Sequence, residues 1–112
     1  MSAKTAYTRV ANALVQAGNG VVGNPWPTEN ADEVNVYIAV TVAGTTFLPV
    51  IECSPDHGVT WFVHTVGAAI TGVGSTLIRL PDNVGKLMRM STASQTGSFT
   101  MSVWAGNKRT MG

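Results

Sequence analysis

"VNVYIAVTV", residues 34–42, decides the class of this fold. Its apolar residues recur at every second position. Val34, Val36, Ile38, Val40 and Val42 fall on one side of an extended chain, and Asn35, Tyr37, Ala39 and Thr41 on the other. A helix, with its period of 3.6, would spread these five around its circumference; a strand with one buried face collects them.

The same period continues outward from this stretch. After a turn at "AGTT" (43–46), "TFLPVIEC" (46–53) can set Phe47, Ile51 and Cys53 on one face. Pro49 has no N–H to give to a ladder, which predicts an edge strand or a bulge there. "VTWFVHTV" (59–66) pairs back on it, with Trp61 and Val63 facing one way and Phe62 and His64 the other. A Gly-rich link "GAAITGVG" (67–74) leads to a short strand "STLIRL" (75–80) and then to "PDNVG" (81–85), a strong turn. "KLMRMSTA" (86–93) and "SFTMSVWA" (98–105) make the last two strands around "SQTG", with Phe99, Met101, Val103 and Ala105 on one face and Trp104 on the opposite one. "GNKRTMG" (106–112) reads as a polar tail. Six strands without a helical period between them predict an antiparallel sandwich or small barrel.

The first thirty residues are less regular. Tyr7, Val10, Ala11 and Leu14 fit one helical face, whereas "GVVGNPWP" (20–27) is extended, since a proline disfavours α at the residue before it. Residues 1–30 are read as an arm or outer strand, and residues 31–112 as the sandwich domain.

Composition excludes several function classes. Charged residues make up 12% of the 112, about half the roughly 25% usual for soluble domains. A surface so poor in charge suits a chain covered by partners. The seven basic residues are scattered and net charge is +1, so no stripe exists to neutralise a run of phosphates, and nucleic-acid binding is not expected. Cys53 is the sole cysteine, so no internal disulfide can form. "MSAKTAYTRVANALVQAG" lacks an apolar run of signal-peptide length, and the uncharged span 34–51 alternates and contains Pro49, unlike a membrane helix. The chain is expected to be soluble and unexported.

"SPDHGVTW" (54–61) spells S-x-D-x-G-x-T-W, which resembles the Asp-box hairpin of sialidase propellers. Each role in the hairpin of Ser54, Asp56, Gly58 and Trp61 is structural: Asp56 caps the turn, Gly58 bends it and Trp61 anchors it. A sialidase would need several blades and an arginine cluster for its substrate's carboxylate. One copy on a chain with four separated arginines supplies neither. Cys53, His57 and His64 lack a fourth ligand at a zinc-like spacing, and Glu52, Asp56 and Asp82 do not pair as an acid and a base. No cofactor, metal or catalytic residue is assigned, and no enzymatic activity is expected. Trp26, between Pro25 and Pro27, and the outward-facing Trp104 remain as candidate interface residues; an exposed aromatic can anchor a neighbouring protein or stack on a sugar. The competing reading of Trp26 is a plug for the domain's own core.

Residues 34–107 as a whole resemble the small β-sandwich proteins of tailed-phage virions. The likeness rests on the S-P-D hairpin, "LP" before a turn (Leu80, Pro81), the strand with Arg89, and the closing "SFTMSVW" with Phe99, Val103 and Trp104. It is nearest to capsid decoration (cement) proteins. The resemblance implies an all-β, antiparallel β-sandwich of jelly-roll type with an extended N-terminal arm. It implies a structural role on the outer surface of a phage head, made in the host cytoplasm and stabilising contacts between major capsid protein subunits. It also implies a homo-oligomer, dimer or trimer, with no nucleic-acid or membrane partner. A carbohydrate-binding β-sandwich and a neck or tail component are the alternatives.

Overall fold

The computed structural model describes residues 2–29, 31–81 and 86–111. Among the described residues there are eight strands: β1 (Ser2–Gln16), β2 (Gly20–Pro27), β3 (Glu33–Val42), β4 (Thr46–Ser54), β5 (Phe62–Val66), β6 (Gly74–Leu80), β7 (Leu87–Thr96) and β8 (Phe99–Met111). They form two four-stranded antiparallel sheets, ordered β1-β8-β3-β6 and β2-β7-β4-β5. The chain is an antiparallel β-sandwich.

The two inner faces make the core. β3 contributes Val34, Val36, Ile38 and Val40, and β8 contributes Phe99, Met101, Val103 and Ala105, all buried as the alternation predicts. From the second sheet come Val22, Trp26, Phe47, Ile51, Cys53, Met88 and Met90. Phe47 and Phe99 meet across the layers edge to face, with centroids 4.7 Å apart and planes at 77°, a geometry that suits the ring quadrupoles. Val42 breaks the β3 pattern: the register with β8 shifts between Val40 and Val42, and Val42 is exposed.

Residues 1–30 do not form a separate arm over the described part. β1 is the outer strand of one sheet and pairs with β8 along almost its whole length, from Ser2↔Met111 to Gln16↔Phe99. β2 is the outer strand of the other and pairs with β7. The helical face expected of Tyr7, Val10, Ala11 and Leu14 is therefore a strand with register shifts between Arg9 and Ala11 and between Ala11 and Leu14. The expected polar tail is the second half of β8, held by β1 and, as far as Lys108, by β3.

Pro49 lies in β4, an interior strand, and not at an edge. The nitrogen and carbonyl of one strand residue point the same way. The Pro49 carbonyl accepts the Gly67 N–H at 2.8 Å, just beyond the last β4–β5 pair, Val50↔Val66. The missing N–H thus faces the end of β5, where the ladder has already stopped, and β7 loses nothing.

Among the described strands, only β4 and β5 are neighbours both in sequence and within one sheet. β3 and β4 lie in different sheets, as do β7 and β8, so residues 43–45 and 97–98 are crossings between layers. The two crossings touch: Thr45 N–H donates to Thr96 C=O at 2.8 Å. A Cβ on Gly44 would come within 2.7 Å of the Gly97 carbonyl carbon. Glycine at both positions lets the two backbones pass each other. The turn expected at Pro81–Gly85 has residues 82–85, Asp82 among them, outside the described residues.

Candidate interaction surface

The residues singled out from sequence lie in the motif hairpin, on β2 and on the outer face of the β1-β8-β3-β6 sheet. In the hairpin between β4 and β5, the buried Ser54 hydroxyl donates to Asp56 Oδ1 at 2.8 Å and accepts the Gly58 N–H at 2.7 Å. Asp56 Oδ1 also accepts the Thr60 N–H at 2.8 Å. These bonds, the Thr60 N–H first, hold the Asp56 carboxyl below the usual carboxylate range. His57 and Gly58 both take positive φ, 59° and 92°, so the histidine inserted into the motif shares the left-handed bend with the glycine. Trp61 donates its indole N–H to Gly58 C=O at 3.1 Å, and the Arg89 guanidinium lies 4.3 Å from the centre of its ring. Every bond made by Asp56 closes the turn, and none is aimed at an open cleft.

Arg89 continues into a second set of contacts. Its Nε donates to Glu52 Oε1 at 3.0 Å, and Ser91 Oγ donates to the same oxygen at 2.8 Å. Burial pushes the Glu52 carboxyl up, but these two donors and the arginine's charge outweigh it, leaving it below its ordinary value. Glu52 is occupied in holding β4 to β7. Cys53 is buried and its thiol pushed up by burial; His57 sits 3.9 Å from Glu29 on the surface. Among the described residues, no group of three or more His, Cys, Asp or Glu side chains converges as a metal site.

The two tryptophan candidates separate. Trp26 is buried to 1% exposure and pairs with Met88 across β2 and β7, so it does not protrude; it plugs the core. Pro25 and Pro27 flank it within β2, an outer strand where missing N–H groups are tolerated. Its indole N–H finds no acceptor.

Trp104 is on the outer face and at the centre of a row that crosses the whole sheet. Arg9 on β1 is opposite Trp104 on β8, Trp104 is opposite Tyr37 on β3, and Tyr37 is opposite Leu77 on β6. The Arg9 guanidinium lies 4.4 Å from the Trp104 ring centre. In the adjacent row Tyr7 is opposite Gly106. The absent side chain there leaves room for Tyr7 and Tyr37 to lean together, their centroids 6.0 Å apart. A Cβ on Gly106 would stand 3.0 Å from one ring and 3.2 Å from the other. Burial, and next a hydrogen bond with Tyr7, push the Tyr37 phenol up. Tyr7, Tyr37, Leu77 and Trp104, together with Ser75 and Thr76, line an open hollow of about 480 Å³. Tyr7 and Leu77 are more than half exposed. Below the aromatic rows the face ends in an ionic group, with Glu33 bound to Arg79 at 2.9 Å and to Lys108 at 3.6 Å.

Sequence reading placed Trp104 on an outer face but missed Tyr7, Tyr37, Leu77 and Arg9 as its companions. They come from strands far apart in the chain, and only the register of three ladders sets them in a row.

No family model matches the chain, and no curated protein matches it in sequence. Among solved structures it is similar to the SPBc2 prophage-derived protein YomS, with a TM-score of 0.60 and 11% identity over 96% of each chain. It is also similar to part of the infectious bursal disease virus structure, strain Gx, with a TM-score of 0.53 and 12% identity. That match covers 99% of this chain and 33% of the viral one. The chain thus has an all-β fold also found in a prophage-derived protein and in a virus.

Proposed function

We propose that this chain is a structural component of a tailed-phage virion, and specifically a decoration (cement) protein on the outside of the head. The observation that carries the proposal is the aromatic row Trp104–Tyr37–Leu77 with Tyr7 beside it, around an open hollow on an outer sheet face. Large, rigid aromatic side chains around a partly shielded centre are the usual anchors of a protein interface. The low charge of the chain supports the same reading, as does its likeness along nearly its full length to a prophage-derived protein. The pairing of β1 with β8, β2 with β7, β3 with β6 and β4 with β5 supports a jelly-roll type of sandwich. In this role the protein adds buried area across seams between major capsid protein subunits. A modest contact per copy suffices because the lattice repeats it.

The test is co-sedimentation of the purified protein with expanded, DNA-free heads of the phage that encodes it. Wild-type protein is expected to pellet with the heads and raise their resistance to heat, and Trp104→Ala with Tyr37→Ala is expected to abolish both. Binding unchanged by this pair of substitutions would sink the assignment of the face, and absence of wild-type binding would sink the head role. Deleting residues 1–30 is no substitute, since it removes Val10, Val22 and Trp26 from the core.

A second reading draws on the same hollow. Tyr7, Tyr37 and Trp104 with the hydroxyl of Ser75 could stack on and bond to a sugar ring. Millimolar binding of a glycan by the isolated protein, lost in Trp104→Ala, would favour it over the capsid contact.

A further inference from the structure

Each sheet has two edge strands, and the four edges differ in how they are protected. An unpaired edge offers its N–H and C=O groups to any other strand, and proteins block this with bulges, prolines, charges or very short strands. β1 is kinked by two register shifts and by Ala13 at φ 48°. β2 carries Pro25 and Pro27 and a register shift between Val22 and Trp26. β5 is five residues long and is shifted at His64, which the β4 ladder skips. β6 has none of these devices. Its seven residues, "GSTLIRL", pair with β3 at seven successive positions without a shift, from Val40↔Gly74 to Val34↔Leu80. Its single charge, Arg79, is already paired with Glu33 at 2.9 Å.

We propose that β6 is a self-association edge, joining β6 of a second copy of this chain antiparallel about a two-fold axis at Leu77. The segment is complementary to itself in that register. Leu77 of one copy faces Leu77 of the other, Thr76 faces Ile78, Ser75 faces Arg79, and Gly74 faces Leu80. Apolar residues oppose apolar or Thr side chains, and no like charges meet. Such a contact is isologous and closes at two copies. It turns two four-stranded sheets into one continuous sheet of eight. Because the axis is perpendicular to the sheet, the two outer faces lie on the same side. The row Trp104–Tyr37–Leu77 then runs on into its own repeat, doubling the aromatic surface. Leu77, exposed at 52%, is the residue this covers. The pairing is a property of the free protein and does not rest on the virion role.

The experiment is sedimentation of the full chain at about 100 μM, where even a Kd near 10 μM leaves most of it paired. The expected mass is twice the monomer's 11.7 kDa. Leu77→Lys puts two ammonium groups face to face and is expected to return a folded monomer, checked by an unchanged circular dichroism spectrum. Leu77→Cys is expected to give an oxidant-dependent cross-linked pair, since directly opposed strand residues have Cα atoms about 4.5–5.5 Å apart, within disulfide reach. A monomeric wild type, a trimer, a Leu77→Lys dimer, or a wild-type dimer whose Leu77→Cys form does not cross-link would each overturn the proposal.

Discussion

The Arg9 guanidinium lies 4.4 Å from the centre of the Trp104 ring, so one side of this outer-face tryptophan is covered by a cation from the neighbouring strand. Trp26, by contrast, is enclosed on all sides between the sheets. The two residues should therefore respond oppositely to truncation. Trp26→Ala is expected to cost about 3–5 kcal/mol in urea denaturation, the range for removing a large buried aromatic. Trp104→Ala should cost no more than about 1 kcal/mol, mainly its contact with Arg9. Comparable losses from both would mean that Trp104 is a core residue and not a surface one.

The crossing of the two interlayer connections makes a second, local prediction. Gly97 has φ of 83°, and a Cβ there would lie 3.0 Å from both Gly44 Cα and Thr45 N. Those neighbours are backbone and cannot rotate away. Gly97→Ala is expected to destabilise by about 1–3 kcal/mol. Gly72→Ala, with no atom within 4 Å of the added carbon, serves as the control and should shift the unfolding midpoint little.

How far the sequence foretells these features depends on what each requires. The buried faces of β3, β4 and β8 are legible because Val34–Val40, Phe47–Cys53 and Phe99–Ala105 follow the strand's own period. β1 misleads for a definite reason. Its two register shifts move the inward face along the chain, which sets the inward Val10, Ala11 and Leu14 at spacings that mimic a helix, while the outward-facing Tyr7 happens to extend the same stripe. Trp26 misleads because flanking prolines mark an extended segment without saying whether it lies inside or outside. The Asp-box hairpin is local, so its bonds follow from its letters. The aromatic row is not local: it needs β1 beside β8 and β8 beside β3, pairings across some 65–100 residues that no short-range pattern encodes.

Arg89 joins the hairpin to the sheet, and its shape matters as much as its charge. It stacks on Trp61 while its Nε donates to Glu52. A lysine has one compact ammonium and cannot do both. Arg89→Lys is expected to lower stability by about 1–2 kcal/mol and to change the environment of Trp61, read as a shift in its fluorescence. An unaltered emission spectrum with unaltered stability would show that the stack contributes nothing.

Acid should unfold the protein through three carboxylates whose folded-state values are depressed. Glu33 is lowered first by its bond from Arg79, and Asp56 first by the Thr60 N–H. Glu52 is lowered by Arg89 and Ser91 against the opposing effect of its burial. A carboxyl held lower in the folded than in the unfolded chain binds its proton more readily when unfolded. Its contribution is present above the unfolded value, about 3.9 for Asp and 4.3 for Glu, and is lost as pH falls through the folded one. The urea midpoint is therefore expected to decline as pH drops from about 5 toward 2. Glu52→Gln removes one of the three titrating groups, so the variant should start less stable at pH 7 and lose less between pH 5 and 2. A variant whose midpoint falls as steeply as wild type over that interval would show that Glu52 takes no part in the acid transition.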